Sequence, residues 1–132
     1  MITRRAMLVF TVALCACRND LDTAVDPVWG KQPCEHCQML VSQRASAAQL
    51  VLDGERHYFD DLGCMIQWLD EQKRAARGWI RAGDGWIDTE QARYRGGATT
   101  PMDHGYVAAP DGQLTYTEVR TRVLARAKGG PS

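Results

Sequence analysis

At 132 residues the chain has room for one small domain, or for two half-domains sharing a core. An apolar fraction of 45% and a charged fraction of 24% are those of a globular protein rather than a disordered one. The formal net charge of zero creates no overall field to attract nucleic acid, and no partner of that class is expected.

The first segment reads as an export signal. "MITRR" is a basic start, and the apolar run "AMLVFTVALCA" behind it is 11 residues long. That is well short of the ~17–25 residues a finished helix needs to cross a bilayer. Such a run belongs to a secretory signal. Its end, "LCAC", places Leu14 at −3, small Ala16 at −1 and Cys17 at the cleavage point. This resembles a bacterial lipobox, although Cys15 is an unusual occupant of −2. A signal peptide is therefore expected over 1–16, with Cys17 lipidated and the protein held on a bacterial membrane facing the periplasm. Arg18 rather than Asp after the lipid cysteine favours the outer membrane. Loss of Arg4 and Arg5 leaves a formal charge of −2, because the 16 basic and 16 acidic residues otherwise balance. Residues 17–31 are polar, with no sustained apolar period, and read as a flexible tether.

The folded part is expected over 32–128. "AAQLVL" and "ERHYF" flank Asp53-Gly54, the pattern of a hairpin with a type I′ turn. "DDLGCMIQWLDEQKRAA" follows as a predicted helix. Asp60 or Asp61 can cap it, Leu62, Met65, Ile66 and Leu69 recur at helical spacing, and Gly78 closes the unit. A second half runs through "WIRAGDGWID", a turn or short helix at "TEQARY", strands near Tyr94 and at "HGYVAA", and a turn at "DGQ". "TYTEVRTRVLARAKGG" ends the fold as a helix, with Thr115 or Thr117 as its cap, Val119, Val123 and Leu124 facing inward, and Gly129 as its stop. The order predicts a compact α+β fold of two similar halves, about 32–78 and 79–128.

Chemistry concentrates in "CEHCQM", residues 34–39. Once Cys15 and Cys17 are set aside, Cys34, Cys37 and Cys64 remain, an odd number that a complete disulfide framework would not leave. In an oxidising compartment such a set points to metal ligation or redox chemistry. Met39 lies two residues beyond Cys37, and its thioether suits Cu(I) far better than Zn(II). On an extended strand the two side chains point to the same side and can converge on one ion. "TTPMDHG" repeats the spacing with Met102 and His104. Cys64, at the helix start, is a candidate third thiol, a buried residue or a reactive thiol. His36 is a plausible nitrogen donor between the cysteines, whereas His57 reads as a surface or hydrogen-bonded histidine. No nucleophile–base–oxyanion set stands out, so a binding role is expected rather than an enzyme.

Taken together, "CEHCQMLV", "LDGERHYFDDLGCMIQWL", "GWIDTEQARY" and "TTPMDHGYVAA" resemble the NosL family, the lipoproteins accessory to nitrous oxide reductase. Members show C-x-x-C-G-M, F-D-D-x-G-C-M, W-I-D-A and T-P-M-G-x-G segments in that order, usually behind a lipobox. The likeness covers roughly residues 32–109. Two positions depart from it: Gln38 and Asp103 stand where the family has glycine. The resemblance implies a tandem of ββαβ-type units and a membrane-anchored Cu(I) metallochaperone. Copper would pass to nitrous oxide reductase, another exported copper enzyme, or the membrane complex that loads it. By matching position the implied ligands are Cys37, Met39 and Met102, then Cys34, with His104 and His36 as nitrogen donors and the site between the halves. Two readings of other classes stand beside it. One is a structural zinc module using Cys34, Cys37, Cys64 and a histidine. The other is a thiol–disulfide exchanger built on the C-x-x-C pair.

Overall fold

The computed structural model describes residues 21–129, so the expected signal peptide and the lipid site at Cys17 lie outside the described residues. The chain forms a small α+β fold with a four-stranded antiparallel sheet, a second two-stranded sheet and two helices.

After a 3₁₀ turn at Arg44–Ser46, strand β1 (Ala48–Leu52) pairs with β2 (Glu55–Phe59) in the register Ala48↔Phe59 to Leu52↔Glu55. The connecting Asp53 and Gly54 have φ of +52° and +78°, as the type I′ turn of the sequence pattern requires. Helix α1 (Leu62–Gln72) follows, then β3 (Arg77–Ala82), which pairs with the other side of β1. A two-residue turn opening on Gly83, at φ +56°, leads into β4 (Gly85–Asp88) and gives the sheet order β2-β1-β3-β4. Strands β5 (Tyr94–Arg95) and β6 (Val107–Ala108) make the second sheet, and α2 (Tyr116–Ala127) ends the fold.

Two boundaries differ from those read in the sequence. Helix α1 stops at Gln72, where Lys73 takes the left-handed conformation and its N–H returns to Asp70 O. Helix-forming side chains continue to Ala76, but the exposed Arg74 pairs with Asp53 on the β1–β2 turn and the chain swings away to begin β3. Gly78 accordingly closes no helix. It lies inside β3, where the Met65 Sδ and Cε would be 3.3 Å from any Cβ placed there. The division expected at 78/79 thus falls within a strand that both β1 and β4 use.

Strands β1 and β3, buried in succession over Ala48–Leu50 and Gly78–Arg81, and the apolar stripe of α1 build a shared core. Leu50, Phe59, Leu62, Met65, Ile66 and Ile80 are fully buried, joined by Tyr94, Val119 and Val123 from the second half. Each such aliphatic side chain contributes roughly 1.5–3 kcal/mol when removed from water. Thr115 caps α2 by accepting from Glu118 N, and Gly129 beyond its end has φ +77°.

Residues 23–31, expected as tether, are docked on the sheet. Val25 N donates to Gln49 Oε1, Tyr58 OH donates to Val25 O, and Arg56 donates to Thr23 O. Asp26 accepts from Arg81 at 2.8 Å and from the Trp86 indole at 2.7 Å. Arg81 is only 5% exposed, with its guanidinium over the rings of Trp29 and Trp86. These attachments reach 55 and 60 residues along the chain, and no local sequence signal announces them.

Candidate metal centre

Cys34 and Cys37 are presented by a tight knuckle. Val41 N donates to Gln32 O, Cys34 N to Met39 O at 2.7 Å, and Gln38 N to Cys34 O at 3.0 Å, with a bridge between Pro33 and Leu40. Closing a turn this small takes one left-handed residue, and Gln38 supplies it at φ +67°. Glu35 N donates to Tyr58 O, which fastens the knuckle to β2. The next residues beyond β2 complete the site. Ser46 Oγ donates to the carbonyl of Asp60, and Cys64 sits in the first turn of α1, its N–H bonded to Asp61 O.

Four donor atoms thereby converge. One ligand atom from each of Cys34, Cys37, Asp60 and Cys64 lies within 4.8 Å of all the others. Cys34, Asp60 and Cys64 are buried, while Cys37 is half-buried and forms the open side. The chain therefore carries a candidate metal-binding cluster of three thiols and a carboxylate.

Its electrostatics are uneven. A hydrogen bond from the Cys64 thiol, aided by backbone N–H groups of Cys37, Asp60 and His36, holds the Cys34 thiol well below the usual range. The same bond, with burial, pushes Cys64 up. Burial pushes Cys37 up to about 12 and Asp60 up to about 6. The Cys37 thiol donates to Asp60 Oδ1 and Oδ2 at 3.3 and 3.4 Å. The Cys64 thiol and the neighbouring backbone N–H groups thus favour the thiolate form of Cys34, as a metal knuckle does when it holds sulfur negative.

Other expected ligands lie around this cluster. Met39 and Met102 are 52% and 40% exposed, and both backbones are bonded to its framework. Met39 O receives Cys34 N, and Met102 N donates to Asp61 Oδ2 at 3.1 Å. His104 lies against the start of α1, its ring filling the space that a Cβ on Gly63 would need. His36 faces Glu71 at 3.9 Å. Among the described residues neither histidine belongs to the converging set. His57 Nδ1 lies 3.3 Å from Glu35 Oε1, and its ring packs on Trp68.

Asp60 is the member that the sequence did not single out. It entered only as one of two candidate helix caps. Asp61 takes that task, accepting from Gly63 N at 3.1 Å, and frees Asp60 for the thiols. All four converging residues lie in the first half, and the second half contributes the 100–105 loop resting on α1. No family model, curated protein or solved structure matches this chain.

Proposed function

We propose that the protein binds Cu(I) as cargo and passes it to an exported copper enzyme or to the machinery that loads one. The observation behind this reading is the convergence of three thiols on a site with one open side, flanked by two solvent-exposed methionines whose loops are bonded to its frame. Sulfur-rich donors of this kind suit Cu(I), and exposed thioethers are soft, neutral ligands that bind it without trapping it. Cu(I) makes little geometric demand, so transfer proceeds by exchange: an incoming donor adds before an old one leaves. Thiolate supplies most of the affinity and methionine tunes it.

The resemblance to NosL proteins supports nitrous oxide reductase as the client, the lipobox-like "LCAC" supports a lipid anchor at Cys17, and Arg18 after it supports the outer membrane, facing the periplasm. The two departures from the family pattern support it as well. Gln38 and Asp103, where the family has glycine, both have positive φ, at +67° and +60°.

Titration of the full chain against a Cu(I) competitor tests the reading. Cys37→Ser is expected to remove most of the affinity, and His57→Ala to leave it nearly unchanged. Equal losses contradict the assignment. Binding also requires deprotonated thiols, so affinity should fall as pH is lowered.

Asp60 favours a second reading. Cys34, Cys37, Cys64 and Asp60 supply four donors, three sulfurs and one oxygen, a number acceptable to zinc, with the carboxylate in the place where a histidine was expected. X-ray absorption on protein offered both ions separates the two. Zinc with an oxygen neighbour supports the structural module, and copper with sulfur neighbours alone supports transfer. A thiol–disulfide exchanger would instead keep its activity after Met39→Leu and Met102→Leu.

A further inference from the structure

We propose that Asp61 is a positioning residue that holds the Met102 loop in register with the thiol cluster; this rests on the copper-transfer reading. The adjacent carboxylates Asp60 and Asp61 are both buried, and they serve opposite sides of the site. Asp60 receives the Cys37 thiol of the knuckle. Asp61 divides its two oxygens between the elements that must meet. Oδ1 accepts Gly63 N and caps α1, and Oδ2 accepts the N–H of Met102 from a loop 41 residues away.

The loop is shaped to receive that bond. Gly105 N donates to Thr100 Oγ1, Asp103 N to Thr100 O, and Arg126 of α2 to Asp103 O. Thr100 and Gly105 are buried, whereas Met102 at the tip is exposed. Beside the Asp61 bond, the imidazole of His104 lies on Gly63, where any side chain would displace it. Residues 61 and 63 thus receive the loop, and each is next in sequence to a member of the cluster, Asp60 or Cys64. With its backbone held at this point, the thioether is offered at the edge of the site without being buried in it. A freely moving loop would present the same sulfur at lower effective concentration. Asp61 is a positioning residue: it acts through Met102 and need not touch the metal.

Two variants of the full chain attack the contact from opposite sides. Asp61→Asn keeps one oxygen, enough for an Asn cap, and puts an NH₂ donor in place of the other, so that one of the two N–H groups loses its acceptor. Gly63→Ala retains both carboxylate oxygens and the helix, and pushes His104 away. Hydrogen exchange of the Met102 amide is read on metal-free protein, and Cu(I) transfer to a chelator is read on loaded protein. For both variants we expect amide exchange faster by about tenfold, the loss of one net hydrogen bond. The Cu(I) transfer rate should shift as it does in Met102→Leu, with no further change in the double variants. Unchanged amide exchange in both variants overturns the proposal. So does faster exchange with a transfer rate like that of the parent. A parent chain that takes up no Cu(I) sinks the copper reading and this proposal with it. The metal-free amide measurement tells that failure from a failure of Asp61 alone.

Discussion

Gln38 and Asp103 are the two residues near the site whose backbones adopt left-handed conformations that glycine would take without cost. For an L-residue this region costs roughly 1–2 kcal/mol, less for Asp, whose short polar side chain tolerates it. Replacing Gln38 by glycine relieves that strain but adds freedom to the unfolded chain. We expect Gln38→Gly to raise the melting temperature by a few degrees, the equivalent of up to about 1 kcal/mol. Asp103→Gly should gain less, and a thermal melt of both variants ranks them. The neighbouring carboxylates teach a related lesson. "DDLGC" shows that one aspartate can cap the helix; it does not show where the other points. Only the fold, which brings the knuckle to Asp60, turns the spare carboxylate into a partner of Cys37. The thiols were legible as a group because three cysteines had no complete pairing, and Asp60 was not, because acidic pairs before helices are common.

At the scale of elements, the connection before α2 leaves no room for a side chain. A Cβ on Gly112 would sit 2.5 Å from Tyr94 O, and the chain must pass this closely because Tyr94 and Leu114 exchange both backbone hydrogen bonds. Tyr94 is itself fixed by its buried hydroxyl, which donates to Thr89 O at 2.6 Å. Gly112→Ala should therefore destabilise the fold by about 1–3 kcal/mol, the usual cost of overpacking. Urea denaturation measures it, and an unchanged midpoint would show that the connection can move. The elements most legible in the sequence were those set by local chemistry. Asp53-Gly54 specifies its turn, and Thr115 with Glu118 specifies the start of α2. The end of α1 was misread because propensity favours helix through Ala76 while tertiary contacts end it at Gln72. Gly78 was misread as a stop for a similar reason: it makes room for Met65, a demand visible only once helix and sheet are packed.

For the molecule as a whole, the docked N-terminal segment is the feature least accessible to sequence reading. It mixes polar and apolar residues with no sustained period and includes a proline, as a tether can, and its partners lie on β1, β2, β3 and β4. Asp26 is the fastening. Removing it leaves Arg81 buried against two indoles without its carboxylate, although Gly83 O still accepts from its Nε. Because Asp26 itself is half exposed, the cost should fall below that of a fully buried pair, at about 1–3 kcal/mol. Asp26→Ala should lower the melting temperature and alter the fluorescence of Trp29 and Trp86, which stack with centroids 6.2 Å apart.

Fastening from Thr23 onward also sets a leash. A lipid at Cys17, as proposed above, would leave six steps of chain to Thr23, at most about 20 Å even when fully drawn out. The body could then pivot at the bilayer surface but not range away from it. An acceptor freely dissolved in the periplasm would have to come down to the lipid headgroups to collect its ion, and one already seated in the same membrane would have the shorter journey.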